Sequence, residues 1–259
     1  MTALVTAVAL IGPHFAPRGP TEFVGLPFSE PSVQYPFGTD NLGRDVLSRF
    51  LCGGQFLLFT SVTATVLSVG AGAAVGIMAG FGRNWQDELL MRIGDIFLVF
   101  PPLILALLFI SVSGPRTWLL VAVVCFAFIP RNARVVRSAT MSIVGRDFVK
   151  AAEANGVSRF RIIVGEIVPN IMNTLMVEFG LRLSAAIGLV AALAFLGLGR
   201  PPPSADWGLM INENRVASTA QPWGVLLPIL AICMLTIGVN LMTDGLARVY
   251  SGLDPGRVR

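Results

Sequence analysis

Charge is scarce in this chain. Asp, Glu, Lys and Arg make up 13% of its 259 residues, about half of what a soluble domain carries. Lysine is almost missing: Lys150 stands alone beside eighteen arginines. A nucleotide-hydrolysing phosphate loop needs a lysine followed by Ser or Thr after a glycine-rich turn. Lys150 lies between Val149 and Ala151, so the chain is not itself an ATPase of that kind. Neither GxSxG nor HExxH occurs, which removes the covalent hydrolases and zinc proteases those motifs mark. Histidine is limited to His14, and Cys52, Cys125 and Cys233 are scattered without CxxC spacing, which excludes an ordinary structural zinc site. The cysteines read as small buried hydrophobes, and His14, beside Pro13, as an interfacial side chain.

Apolar residues fill the space. They form 54% of the chain, and the mean hydropathy is +0.73, as in an all-α integral membrane protein. A helix needs about 20 apolar residues to cross about 30 Å of hydrocarbon. Six runs approach that length, at 1–16, 54–80, 93–113, 117–136, 171–197 and 223–247. The first is short and meets Pro13 and Pro17. It lacks the basic lead and small-residue cleavage site of a secretory signal, and reads as a truncated or shallow span.

Loop cations set the expected orientation. With both termini inside, the inner segments hold Arg83, Arg92, Arg131, Arg134, Arg137, Arg146, Lys150, Arg159, Arg161, Arg248, Arg257 and Arg259. The outer segments hold only Arg18, Arg44, Arg49, Arg116, Arg200 and Arg215. Twelve against six predicts an N-in, C-in topology with loop 131–170 in the cytoplasm. The net charge of +4 then reports loop orientation and anionic headgroups, with no nucleic acid implied.

Residues 17–50 and 198–222 become extracytoplasmic loops. Their prolines, Pro201 to Pro203 among them, prevent either from being helical throughout. Neither has the apolar alternation of an independent fold, so residues 1–259 read as a single transmembrane domain. Gly72, Gly76 and Gly80 recur every four residues and form a groove that another backbone can approach. The groove suits packing inside the subunit, or a ridge that slides as the bundle moves. Pro101 and Pro102 should kink the third span.

Loop 131–170 holds the strongest functional signal. Arg131, Arg134 and Arg137 continue the fourth span, where they suit anchoring at lipid phosphates. From Arg146 to Asn155, charged and small residues alternate as in a short exposed helix. Ala151, Ala152 and Ala154 leave it little bulk, so it could lie in another protein's groove. Gly156 is placed to close it with a positive φ. A second short helix through Arg161 to Val164 should end at Pro169, which can open the fifth span.

Ionisable residues inside spans are costly and default to functional candidates. Glu178 and Arg182, four apart on the fifth span, share a face and can pair. They read as an internal pair facing a partner subunit, or as a polar patch on a translocation path. Asp95 and Asp244 lie near inner span ends as interface or gate residues. Trp207 and Trp223 read as an outer aromatic belt. Six spans without a convincing internal repeat argue against an ion-coupled secondary transporter. The lack of clustered catalytic groups argues against an intramembrane enzyme.

The run Phe148-Val149-Lys150-Ala151-Ala152-Glu153-Ala154-Asn155-Gly156, with Pro169 thirteen residues beyond Gly156, resembles the cytoplasmic EAA loop of ABC-importer permeases. Three further stretches carry the resemblance across nearly the whole chain. They are Pro36 to Arg49, containing Gly38, Thr39, Asp40, Gly43, Arg44 and Asp45; Asp87 to Arg92 with Asp95, Phe100 and Pro101; and Phe195 to Gly199 with Pro202, Pro203, Ser204, Trp207 and Gly208. Together they are similar to the dipeptide-type C permease subunit of the dipeptide, oligopeptide and nickel importers.

The resemblance implies a type I importer permease fold in the bacterial cytoplasmic membrane and half of a translocation pathway for peptides, or alternatively for nickel chelates or another small amphiphile. Its implied partners are a homologous second permease, two ATPase subunits that hold ATP and Mg, and an extracytoplasmic substrate-binding protein. This chain would bind no cofactor. Phe148, Lys150, Ala151, Ala152, Glu153, Gly156 and Pro169 would form the ATPase-coupling element. The family's eponymous glutamate falls at Lys150, and a histidine common in these permeases falls at Glu166. The first change reverses a charge, which puts any family salt bridge there in doubt. The N-terminus also lacks the family's short basic lead-in.

Overall fold

The computed structural model describes residues 2–82 and 84–250. Arg83, Arg257 and Arg259, counted above among the inner cations, lie outside the described residues. The elements in chain order are α1 (Thr2–Ile11), α2 (Val46–Phe81), α3 (Asn84–Leu98), α4 (Pro102–Ser113), α5 (Thr117–Val144), α6 (Asp147–Ala154), α7 (Arg159–Ile162), α8 (Val168–Phe195), α9 (Trp207–Asn214) and α10 (Trp223–Tyr250). No β-strand occurs among the described residues, only isolated bridges at Phe23 with Arg44 and Thr39 with Asp45. With no water to satisfy backbone polar groups in lipid, self-contained helices are the expected outcome.

Four helical segments are long and apolar enough to cross a membrane: Val46–Phe81, Thr117–Val144, Arg159–Phe195 and Trp223–Arg248. Trp85–Leu98 and Pro102–Ser113 reach that length and apolarity only when taken together, and they are bent by 78° at the break between them. Proline lacks the donor and crowds the preceding turn, so the expected kink is a full break. The first apolar run is the shorter helix Thr2–Phe15.

Two boundaries differ from the hydropathy reading. Helix α2 begins at Val46, eight residues before the expected 54, because its first turns carry Ser48 and Arg49, which hydropathy counts as loop. At the other boundary, Pro169 does open α8 as expected, but no gap separates that helix from α7. A π turn at Ile163–Ile167 joins α7 to α8, and the widened ladder accommodates the proline's missing donor within one continuous helix.

The chain forms two compact units. The first comprises Met1–Ala64, Leu103–Val124 and Leu183–Val239, and the second Thr65–Pro102, Cys125–Arg182 and Asn240–Arg259. In the second, the glycine ridge of α2 lies on α5. A Cβ at Gly76 would come within 2.6 Å of the Ala133 carbonyl and 2.8 Å of Val136 Cβ, and one at Gly80 within 2.8 Å of Thr140 Cβ. Gly72 meets Asn132 in the same way. Asn132, Val136 and Thr140 are themselves four apart, so two matched rows interlock within this one subunit. Below them Ile77, Phe81, Val136, Ile143, Val149, Ile162, Ile167 and Ile171 make a buried apolar cluster.

Candidate functional site

Loop 131–170 lies within the second unit. Helix α5 runs on to Val144, and Gly145 and Arg146 lead into α6. Val149 is fully buried in the apolar cluster, and Ala152 packs against the same cluster. These two residues fix the rotation of α6. Phe148, Lys150, Ala151, Glu153 and Ala154 are left exposed. The expected low-bulk face is therefore Ala151 and Ala154, while Ala152 serves the subunit's own core.

The end of α6 follows from one residue. Gly156 takes φ +72°. Its N–H donates to the Glu153 carbonyl at 3.0 Å, and the Val157 N–H donates to the Ala152 carbonyl at 3.1 Å. This paired closure is the Schellman arrangement, with Gly156 as the left-handed residue. Val157 then packs on the cluster, which turns the chain into α7. Phe160, 76% exposed, and Val164 remain open beside it. Sequence reading missed Phe160; its signal was a large aromatic inside a loop of small and charged residues. Pro169 sits in the first turn of α8, exposed.

The arginines continuing α5 are not simply lipid anchors. Arg134 donates to Asp95 and Arg137 donates twice to Asp87, tying α5 to α3. Asp95 thus enters an ion pair, half exposed, beside an apolar cavity of about 160 Å³ lined by Phe97, Phe126, Ile129 and Pro130 among others. Phe97 meets Phe126 edge to face with ring centroids 4.7 Å apart. Glu178 and Arg182 do pair: Nε of Arg182 donates to Oε2 of Glu178 at 2.9 Å. Glu178 is 5% exposed, so the pair is already covered by this chain.

The first unit builds a different kind of polar site around Pro36 to Arg49. Gly38 and Gly43 take positive φ, and a side chain at Gly43 would run into the Gly25 carbonyl. The turn they make aims the Asp40 carboxylate back at its own loop. Oδ1 accepts from the Leu42 and Arg44 amides, both at 2.9 Å, and Oδ2 accepts from Arg44 Nε at 2.6 Å. Arg49 Nε lies 3.2 Å from the same oxygen. Glu213, on α9, bridges Arg44 and Arg49 at 3.0 and 2.7 Å. Thr39 donates to the Leu26 carbonyl at 2.6 Å, and Asp45 caps the start of α2 through the Ser48 amide and hydroxyl at 2.9 and 2.5 Å. Asp40, Arg44 and Arg49 are each at most 1% exposed. The two arginines and the two acids that face them answer one another inside the chain. Glu213 was missed; the only hint was two outer arginines in one short stretch calling for a second acid.

Trp207 is a correction. It is fully buried, stacks on Phe50 at 5.5 Å and donates through Nε1 to the Phe50 carbonyl at 2.8 Å. It is a packing centre for α9 rather than part of an aromatic belt. Gly53 lies against its ring, which is what lets α2 come so close. Trp223 is partly exposed and meets Phe37 edge to face at 5.3 Å. Beside Trp207, Asp206 accepts from the Leu209 amide at 3.1 Å as the helix N-cap. Burial pushes its carboxyl up to about 6, against the backbone bonds from Leu209 and Gly208 and the charges of Arg200 and Arg49.

Comparison with known proteins agrees with this geometry. Residues 72–251 match the family model for the binding-protein-dependent transport system inner membrane component. The di/tripeptide transport system permease protein DppC of Pseudomonas aeruginosa is 36% identical over 259 residues, covering 97% of this chain and 84% of the relative. The glutathione transport system permease protein GsiD of Escherichia coli is 36% identical over 225 residues, covering 87% and 73%. Among solved structures, an inward-facing conformation of the MetNI methionine ABC transporter aligns with a TM-score of 0.60 at 15% identity, covering 78% of this chain and 96% of that one. At that identity the likeness speaks for the fold, a type I importer permease. The chain belongs to the family of binding-protein-dependent transport system inner membrane components, and is a multi-pass permease subunit of an ABC importer in the bacterial inner membrane.

Proposed function

We propose that this subunit forms half of a translocation pathway for peptides and that α6 is the element through which ATP hydrolysis on partner subunits moves it. The observation that carries the coupling role is the surface of α6: a helix held from below by Val149 and Ala152 that presents Ala151 and Ala154 outward. A loop with no partner gains nothing from a rigidly seated helix bearing so little side chain. The peptide cargo rests on the substrates for which the relatives are named, di- and tripeptides and glutathione.

In this reading the N-in, C-in orientation puts loop 131–170 in the cytoplasm, where two ATPase subunits carry the ATP and Mg. A homologous second permease completes the pathway, and an extracytoplasmic binding protein delivers the peptide. Phe148, Lys150, Glu153 and Gly156 belong to the coupling element with the two outward alanines, and Pro169 to the helix that receives the motion. Of the polar candidates Glu178, Arg182 and Asp95, the half-exposed Asp95 is our candidate for the pathway's lining, because the Glu178–Arg182 pair is covered by this chain.

The coupling role is tested by Ala151→Trp and Ala154→Trp in the assembled transporter. Both side chains are exposed, so the subunit should still accumulate in the membrane while ATP-driven uptake is lost. Unchanged uptake and unchanged stimulation of ATP hydrolysis in both variants would overturn it. The cargo is tested by titrating the cognate binding protein with dipeptides, longer peptides and nickel chelates; tight binding of a chelate alone replaces the peptide reading.

A further inference from the structure

We infer that the ATPase groove receiving α6 presents a carboxylate opposite Lys150, within an acidic rim. This rests on the coupling role proposed above and adds the chemistry of the partner's surface.

Lys150 is the only lysine in the chain. Helical residues advance about 100° each, so with Val149 and Ala152 buried, Asp147 and Ala154 lie at the centre of the outward face and Lys150 on its flank. The buried anchors and the Gly156 closure leave this face little freedom to rotate. Asp147 and Glu153 stand three residues to either side, yet Lys150 makes no ion pair among the described residues. Asp147 sits in the first turn of α6, where the helix dipole already favours a negative charge.

The surroundings are basic. Across residues 146–161 the exposed charged residues are Arg146, Lys150, Arg159 and Arg161 against Asp147 and Glu153. Arg159 is partly engaged over the Phe81 ring at 5.6 Å. A surface with this excess is attracted to an acidic partner and repelled by a basic one. Once α6 enters a groove, the Lys150 ammonium loses water. An ammonium taken from water without a paired carboxylate is strongly disfavoured, and among the described residues no carboxylate is paired with Lys150.

The lone lysine makes the test selective. Carbodiimide treatment of the purified full transporter joins an amine to a carboxylate already in contact, with loss of water, and Lys150 is this subunit's single side-chain amine. The expected product is an amide between Lys150 and an Asp or Glu of the ATPase subunit, mapped by mass spectrometry. Lys150→Arg removes that product. Lys150→Glu should weaken recovery of the ATPase with the permease about tenfold or more, with greater loss at low salt, and changing the mapped acid to lysine should restore it. Docking itself is read separately by Ala151→Cys, with Cys52, Cys125 and Cys233 replaced by alanine and a photoreactive maleimide attached to the introduced thiol. If the label at position 151 joins the ATPase on illumination but Lys150 forms no amide with it, or Lys150→Glu recovers the ATPase undiminished, the acidic groove is wrong and the coupling role stands. If the label fails to reach the ATPase, both readings fall.

Discussion

Two stretches of this chain carry dense charge, and they treat it in opposite ways. In the first unit, Asp40, Arg44, Arg49 and Glu213 are almost wholly buried and answer one another through ion pairs of 2.6 to 3.2 Å. In the second, the charges of α6 stand exposed, and its lysine has no ion-pair partner among the described residues. A buried charge must be satisfied where it lies, so the first stretch is explained by its own fold. The second is not, and the coupling role proposed above would supply its partner. Both stretches stand out as motifs, and only their surroundings separate the internal brace from the docking surface proposed for α6.

The sharpest way to break this contrast is to remove one member of the buried set. Asp40→Ala leaves Arg44 and Arg49 sharing Glu213 alone, and stranding buried charge costs about 3–5 kcal/mol. The expected result is a steep loss of subunit accumulating in the membrane and of resistance to denaturant in micelles. Lys150→Ala, by contrast, should leave both measurements within about 0.5 kcal/mol of the parent. If the two variants prove equally stable, the distinction between brace and docking surface fails.

Asp206 sharpens the same point through pH. Its carboxyl sits at about 6 in the fold and at about 3.9 when unfolded, so between those values the folded chain holds a proton that the unfolded chain releases. The stabilisation is complete below about pH 4 and is lost as pH rises through 6, a fall of up to about 3 kcal/mol. Asp206→Asn keeps a competent N-cap and should flatten that part of the stability profile relative to the parent. An unchanged slope in the variant would assign the pH dependence to other groups.

The glycine ridge is the next smaller effect. Gly76→Val places its Cβ against the Ala133 carbonyl and Val136, and overpacking of this kind costs about 1–3 kcal/mol. Lower unfolding resistance, with Gly70→Val as the control at a position where a Cβ meets nothing within 4 Å, is the expected pattern.

What sequence could and could not reveal follows the same division. Features set by local backbone chemistry were legible: the proline break before α4, a glycine row fit for packing inside the subunit, the helix closed at Gly156, and the pairing of Glu178 with Arg182. Features set by distant partners were not. Arg49 reads as loop until Glu213 and Asp40 are brought to it, so α2 was expected to start too late. Trp207 reads as a belt residue until Phe50 and Gly53 close around it. Arg137 reads as a lipid anchor until Asp87 arrives from fifty residues away. Pro169 does fall in the first turn of α8, but no local pattern announces the π turn that joins that helix to α7. On α6, sequence revealed a small-residue helix but could not assign its sides, and grouped Ala152 with Ala151.

The smallest effect tests how firmly that helix is closed. Gly156 has φ +72°, and a Cβ added there would meet no atom within 4 Å. Gly156→Ala therefore meets only the backbone penalty of the left-handed region, about 1 kcal/mol. Because Val149 still anchors α6, the loss should stay local and appear as faster amide exchange at Asn155, Gly156 and Val157 with the global unfolding midpoint nearly unchanged. Gly156→Asn, which tolerates that region better, should fall between alanine and the parent. Equal exchange in alanine and glycine forms would mean that the closure is held by packing of Val157 rather than by the turn, and that the outward face of α6 owes its rigidity to the apolar cluster alone.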